Sequence, residues 1–178
     1  KSIFVPYWQI NDNSITPPVI PSMEKIKTTQ TIYFGITANS HGIDTTESGY
    51  KNIIHIPPDQ KDALLVFHLS NTTILETMLS DDKLFHSLSK DVIHIAREYN
   101  YNGILLDLEI QDIPTDKTIE QITSFVERLS IELKQVKLTY AMTLFGDQFY
   151  RHRPYDLGAL QKSVDHFYIM AYDLHKAT

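Results

Sequence analysis

The sequence predicts an α/β fold built on a parallel sheet, and three observations carry that expectation. Short apolar runs of strand length alternate with longer stretches of helical period. The run 103–109 (Gly-Ile-Leu-Leu-Asp-Leu-Glu) is apolar on both faces until it ends in two carboxylates, as suits a strand covered by helices. A strongly periodic helix, 82–99, leads almost directly into that run, the short connection of an αβ unit. The order implies right-handed parallel crossovers, which either a doubly wound sheet or a (β/α) barrel satisfies.

The elements follow in order. Residues 2–8 (Ser-Ile-Phe-Val-Pro-Tyr-Trp) read as a first strand, with Pro6 where no ladder donor is needed. Residues 11–21, rich in Pro, Asn and Ser, read as a loop. A second strand fits 31–37, turn formers continue through Gly49, and 52–56 reads as a short extra strand stopped by Pro57 and Pro58. Residues 63–69 (Ala-Leu-Leu-Val-Phe-His-Leu) form a strong buried strand. In the helix 82–99, Leu84, Phe85, Leu88, Val92, Ile95, Ala96 and Tyr99 make one apolar stripe, with Ser80 or Asp81 as the cap. After the strand 103–109, a helix fits 116–133, with Ile119, Ile122, Val126, Leu129 and Leu133 on one face. A strand over 137–144, a loop with Gly146, Arg151, Arg153 and Pro154, a short helix over 156–164 and a last strand over 167–172 complete the pattern.

Composition narrows the function. The 178 residues are enough for one domain, 1–178, with a real core. A net charge of −6 argues against nucleic acid as the main partner. No run of about 18 apolar residues exists, so no membrane span is expected. The absence of cysteine excludes disulfides and thiolate metal sites. It suits both the cytosol and a secreted bacterial protein, and the first residues lack a signal-peptide layout.

The chemistry-bearing feature is the end of the run 103–109. Strand side chains alternate, so Asp107 and Glu109 point the same way, about 7 Å apart along the strand. Leu105 shares their face, and Ile104, Leu106 and Leu108 take the other. Acids at the mouth of such a strand are costly unless solvated or used. His68 reads as a hydrogen-bonded core residue, and His86 and His94 as solvent-facing. A metal site from Asp107, Glu109 and His175 ranks low, because hydrolytic metal sites usually need histidine clusters. Arg151 and Arg153 read as a solvated loop, with contact to anionic sugar groups as the alternative.

Two segments together point to a family. Residues 102–109 (Asn-Gly-Ile-Leu-Leu-Asp-Leu-Glu) resemble the Asp-Gly-x-Asp-x-Asp-x-Glu signature of family 18 glycoside hydrolases. Residues 168–173 (Tyr-Ile-Met-Ala-Tyr-Asp) resemble that family's sixth-strand Met-x-Tyr-Asp element. The resemblance looks strongest to bacterial spore-associated and peptidoglycan-directed members, which implies a secreted or cell-surface protein of a bacterium, with the cytoplasm as the alternative. It implies a TIM-type (β/α)8 barrel, here a partial barrel covering strands one to six, since a full barrel takes about 250 residues. Three departures stand out. Asn102 replaces an acid, Leu105 replaces the acid that lies behind the next Asp, and the last two repeats are lacking. The open edges of such a partial barrel invite self-association.

The resemblance also implies a reaction. The protein would cleave β-linked N-acetylglucosamine glycans (chitin, peptidoglycan or an N-glycan core) with retention, using the substrate's own acetamido group. Glu109 would be the general acid. Asp107 would hold the acetamido N–H, and Tyr172 would bond its carbonyl. Asp173 would support sugar hydroxyls, Met170 would line the pocket, and Trp8, Tyr7 and Tyr140 would offer aromatic faces. No cofactor or metal is required. Leu105 and the missing repeats motivate two alternatives, a non-catalytic sugar-binding module and a piece of a larger enzyme.

Overall fold

The computed structural model describes residues 2–9, 30–53, 62–110 and 113–171. The strands are β1 (Ser2–Pro6), β2 (Gln30–Asn39), β3 (Gly42–Ile43), β4 (Ala63–Leu69), β5 (Gly103–Leu108), β6 (Thr139–Phe145) and β7 (His166–Met170). The helices are α1 (Ser48–Ile53), α2 (Thr72–Ser80), α3 (Asp82–Glu98), α4 (Asp116–Gln135) and α5 (Leu157–Leu160), with a 3-10 turn over Tyr7–Gln9. All strands but β3 run parallel, in the order β1-β2-β4-β5-β6-β7. The two-residue β3 folds back antiparallel on the end of β2.

That order decides between the two architectures the sequence leaves open. A doubly wound sheet reverses its strand order at a switch point. Here the order follows the chain without reversal, and the sheet curls. Its outermost strands touch: the Phe4 ring on β1 meets the Tyr168 ring on β7 edge-on at 6.0 Å. The Tyr168 hydroxyl also donates to Oε1 of Gln30 on β2. The result is a half-barrel with helices outside.

The alternation of strand side chains makes two cores. Tyr33, Leu65, Phe67, Ile104, Leu106, Tyr140 and Met142 pack outward against Phe85, Leu88, Val92, Ile122, Phe125 and Leu129 of α3 and α4. Ile32, Leu64, Val66, Leu105 and Ala141 fill the interior, with Phe34 and Tyr168 against them. Fully burying one such aliphatic or aromatic side chain stabilises by about 1.5–3 kcal/mol.

Caps set the helix starts. Asn71 accepts from Thr73 N (2.8 Å) and Ile74 N (3.4 Å), and Asp81 accepts from Lys83 N (2.9 Å) and Leu84 N (3.3 Å). Asp81, of the two expected candidates, is therefore the cap of α3. The second helix runs to Gln135, and left-handed backbone at Lys137 (φ 59°) delays the next strand to Thr139. The short helix expected over 156–164 is confined to α5, capped by Asp156.

Two local expectations are corrected. The first strand ends at Pro6, and Tyr7 and Trp8 belong to the 3-10 turn. The extra strand expected at 52–56 is not there at its start: Asn52 and Ile53 end α1, and 54–56 lie outside the described residues. Packing overrides the β-branched sequence. Gly49 lies on Gly35, so close that a Cβ on Gly49 would sit 2.1 Å from the Gly35 carbonyl oxygen. This contact seats α1 on β2 and buries Ile53. Helix α2 was not expected from the sequence. Its buried contacts, Leu75 and Met78, are too few to show a period.

Gly103, which opens β5, is equally crowded: a Cβ there would lie 2.2 Å from the Thr139 carbonyl oxygen. Gly103→Ala is expected to destabilise the fold by about 3 kcal/mol through this overpacking. Urea unfolding followed by circular dichroism checks it, and an unchanged midpoint would contradict the contact.

Candidate active site

Beyond Leu105, the interior face of β5 carries Asp107 and Glu109 into a cavity of about 700 Å³ at the C-terminal mouth of the half-barrel. Phe4, Pro6, Trp8, Phe34, Val66 and Leu105 wall one part of it, and Tyr168, Ile169 and Met170 another. Asp107, Glu109 and Thr143 are its polar members. The strands thus place the two acids together, and the wall around them is apolar.

Asp107 is only 3% exposed. A buried carboxylate is tolerable when its oxygens are hydrogen-bonded, and both are. Oδ1 accepts from the Thr143 hydroxyl on β6 at 2.6 Å, and Oδ2 pairs with Nδ1 of His68 on β4 at 3.0 Å. An ionised carboxylate only accepts, so Nδ1 carries the proton. Register makes this possible: His68 stands directly across from Asp107 on the adjacent strand. The hydrogen bond to Asp107 raises the His68 pKa above its ordinary value of 6.5. Burial opposes the rise, and the charges of Asp107 and Glu109 add to it. The His68 ring also tilts over Phe34, with centroids 5.7 Å apart.

Glu109 is half-buried. Its backbone is pinned on both sides. Glu109 N donates to Leu69 O at 2.9 Å. The Tyr155 hydroxyl donates to Leu108 O at 2.6 Å and accepts from Ile110 N at 3.3 Å. Tyr155 is buried, and that burial pushes its phenol pKa up. Tyr155 and Thr143 carry no motif, so sequence reasoning missed both. Thr143 alone left a trace, as a hydroxyl two residues from the end of β6.

The other expected site residues divide. Trp8 (64% exposed) and Met170 line the cavity. Tyr140 is corrected: its face of β6 points to the helices, where it is fully buried against the outer core. Tyr7 is not in the cavity lining either. The 3-10 turn packs it against the outer core, edge-on to Trp8 at 5.1 Å. Tyr172, Asp173 and His175 lie outside the described residues. Asn102 ties strands together, its Oδ1 accepting from Ala63 N at 3.0 Å.

Arg153 grips Asp147 through Nε (2.8 Å) and Nη2 (2.7 Å) and lies over the Phe145 ring. These bonds hold the Asp147 carboxyl below its usual range. Arg151 adds a longer contact to Asp147 at 3.3 Å. Both arginines thus have a partner within their own loop. His86 and His94 are exposed and pair with Glu132 and Glu98.

Among the described residues, His68, Asp107 and Glu109 are the grouping that could frame a cation, with ligand atoms all within 4.8 Å. His68 Nδ1 and both Asp107 oxygens are already engaged in hydrogen bonds. No helix among the described residues is long and apolar enough to cross a membrane.

The family model "Glycosyl hydrolases family 18" matches residues 4–178. The chain belongs to that family. Solved structures agree on the fold of this family 18 chain. It is similar to a Group IV chitinase of Ostrinia furnacalis solved with allosamidin (16% identity, TM-score 0.72), covering 98% of this chain and 51% of that one. The second catalytic domain of a Group II chitinase from the same organism gives 13% identity and a TM-score of 0.74, covering 98% and 50%. A family 18 chitinase of Cycas revoluta with allosamidin gives 17% and 0.67, covering 99% and 56%. The chain therefore spans about half the length of these solved relatives. No curated protein sequence matches it.

The His68–Asp107 pair has a pH signature. A histidine whose pKa is raised on folding stabilises fully below its unfolded pKa, and that contribution fades as pH rises through the higher folded value. Melting temperature is expected to fall from pH 6 towards alkaline pH beyond the trend of Asp107→Asn, which lacks the charge. Parallel curves for the two proteins would contradict it.

Proposed function

We propose that this family 18 half-barrel supplies the catalytic acids of a glycosidase acting on β-linked N-acetylglucosamine glycans. One observation carries the reading: Asp107 and Glu109 share an apolar-walled cavity at the strand C-terminal mouth, ligand atoms within 4.8 Å. Family 18 enzymes are substrate-assisted exceptions to the two-carboxylate spacing rule, so retention here rests on the family resemblance.

Glu109, as the acid, gives its proton to the glycosidic oxygen as the C1–O bond breaks and its electron pair leaves with the aglycone. The substrate's acetamido oxygen bonds to C1 from the opposite face. Asp107 accepts from the acetamido N–H and steadies the oxazolinium cation. Glu109, now a base, takes a proton from the water that reopens the ring. Trp8 and Met170 face the sugar, and Tyr172 and Asp173 hold its acetamido carbonyl and hydroxyls by the family resemblance. Solved relatives are complexes with allosamidin and with N-acetylglucosamine oligomers, which supports a chitin-like substrate. Among the described residues β1 and β7 are the edges of the sheet, and strands added there would complete the enclosure.

Leu105 favours a second reading, saccharide binding without turnover, because it sets an aliphatic side chain behind Asp107. Glu109→Gln separates the two. On chromogenic chito-oligosaccharides, turnover is expected to drop by about 10²-fold or more. Equal rates would remove Glu109 from the chemistry, while saccharide binding by calorimetry with no wild-type turnover would establish the second reading. Trp8→Ala is expected to weaken binding about tenfold through the lost stacking face, and unchanged affinity would exclude that role.

A further inference from the structure

The charge on Asp107 has to be held by something, and its own strand does not do it. Leu105, two residues back on the same face, is fully buried and apolar, as is Val66 beside it. Support comes from the neighbouring strands instead. Thr143 on β6 supplies a neutral donor, and His68 on β4 supplies the donor that can carry a positive charge. Resting on the saccharide-site reading above, we propose that His68 is the positioning residue of this site: its imidazolium fixes Asp107 as an ionised acceptor aimed at the substrate.

The geometry is specific. The His68 side chain is 21% exposed and that of Asp107 5%, so the pair is shielded from water. Phe34 lies over the ring from β2, and the backbone register locks it across from Asp107. Ring rotation away from Asp107 would cost both contacts. Loss of the proton from His68 keeps the ring in place but removes the positive charge from a poorly solvated carboxylate. Asp107 then loses the charge-assisted bond that fixes its orientation toward an amide N–H. The groups that face His68 are Asp107 and Glu109 from β5, with Phe34 and, in register, Thr37 on β2.

The test follows kcat and KM for a chito-oligosaccharide from pH 5 to 9, with saccharide affinity measured by calorimetry alongside. His68→Leu is expected to lower kcat/KM by about ten- to hundredfold, the scale of a misplaced reacting group. His68→Gln restores a donor without a titratable charge. It is expected to recover part of the rate and to shift the alkaline fall in kcat/KM, removing the component whose midpoint matches the His68 titration and leaving the limb of the general acid Glu109. It also serves as the readout where His68→Leu does not fold. Carbon-bound imidazole protons in NMR give the His68 titration directly, and Asp107→Asn is expected to lower its midpoint. A wild-type alkaline limb retained unchanged in His68→Gln overturns the proposal while leaving the glycosidase reading intact. A wild-type chain that neither binds nor turns over any saccharide removes the underlying reading, and the role of His68 with it.

Discussion

A carboxylate almost sealed from water is the constraint around which the site is built. Asp107 sits at the end of a fully buried strand, and a charge there survives only with every oxygen engaged. That requirement reaches into three strands. β5 presents the acid, β4 must bring a histidine into register with it, and β6 must bring a threonine hydroxyl to the other oxygen. Removing one partner would leave an unsatisfied buried charge, which costs more than the bond itself is worth.

The fold makes this triple meeting possible by keeping neighbours in chain order. Parallel strands in register put equivalent depths side by side, so His68, Asp107 and Thr143 all arrive near the same rim. Close approaches of small residues maintain the spacing: Gly103 against β6 and Gly49 against Gly35 leave no room for a side chain. Glu109 lies just past the last regular residue of β5, and Tyr155 reaches across from the β6–α5 connection to brace the backbone on either side of it.

Much of this was legible in the sequence for a simple reason. The strands and the two long helices are strongly periodic, and alternation alone assigned Leu105, Asp107 and Glu109 to one face, where they lie. The failures have physical causes too. Isoleucines 53 and 54 invite a strand, yet the glycine contact with β2 makes a helix of 48–53. A strand-end position makes Tyr140 a candidate sugar-stacking face, but it is the second residue of β6, far from the C-terminal rim, and on the helix-facing side. His68, expected as a hydrogen-bonded core residue, is hydrogen-bonded but only part-buried. Which group it would bond depended on inter-strand register, which a single strand's pattern does not encode. Tyr155 acts through its hydroxyl on backbone 47 residues away in sequence, a relation with no local signal.

The contact between the first and last parallel strands works as a buckle. Phe4 meets Tyr168 edge-on, and the same tyrosine reaches Gln30, so the two flanks of the curved sheet lean on each other through side chains instead of a backbone ladder. Any further strand inserted between those flanks has to undo the clasp before its own amides can pair. Completion of the cylinder is therefore an exchange of interactions, and its net gain is smaller than the number of new backbone bonds implies. The width of the cavity that holds Asp107 and Glu109 is set by whichever of the two arrangements prevails.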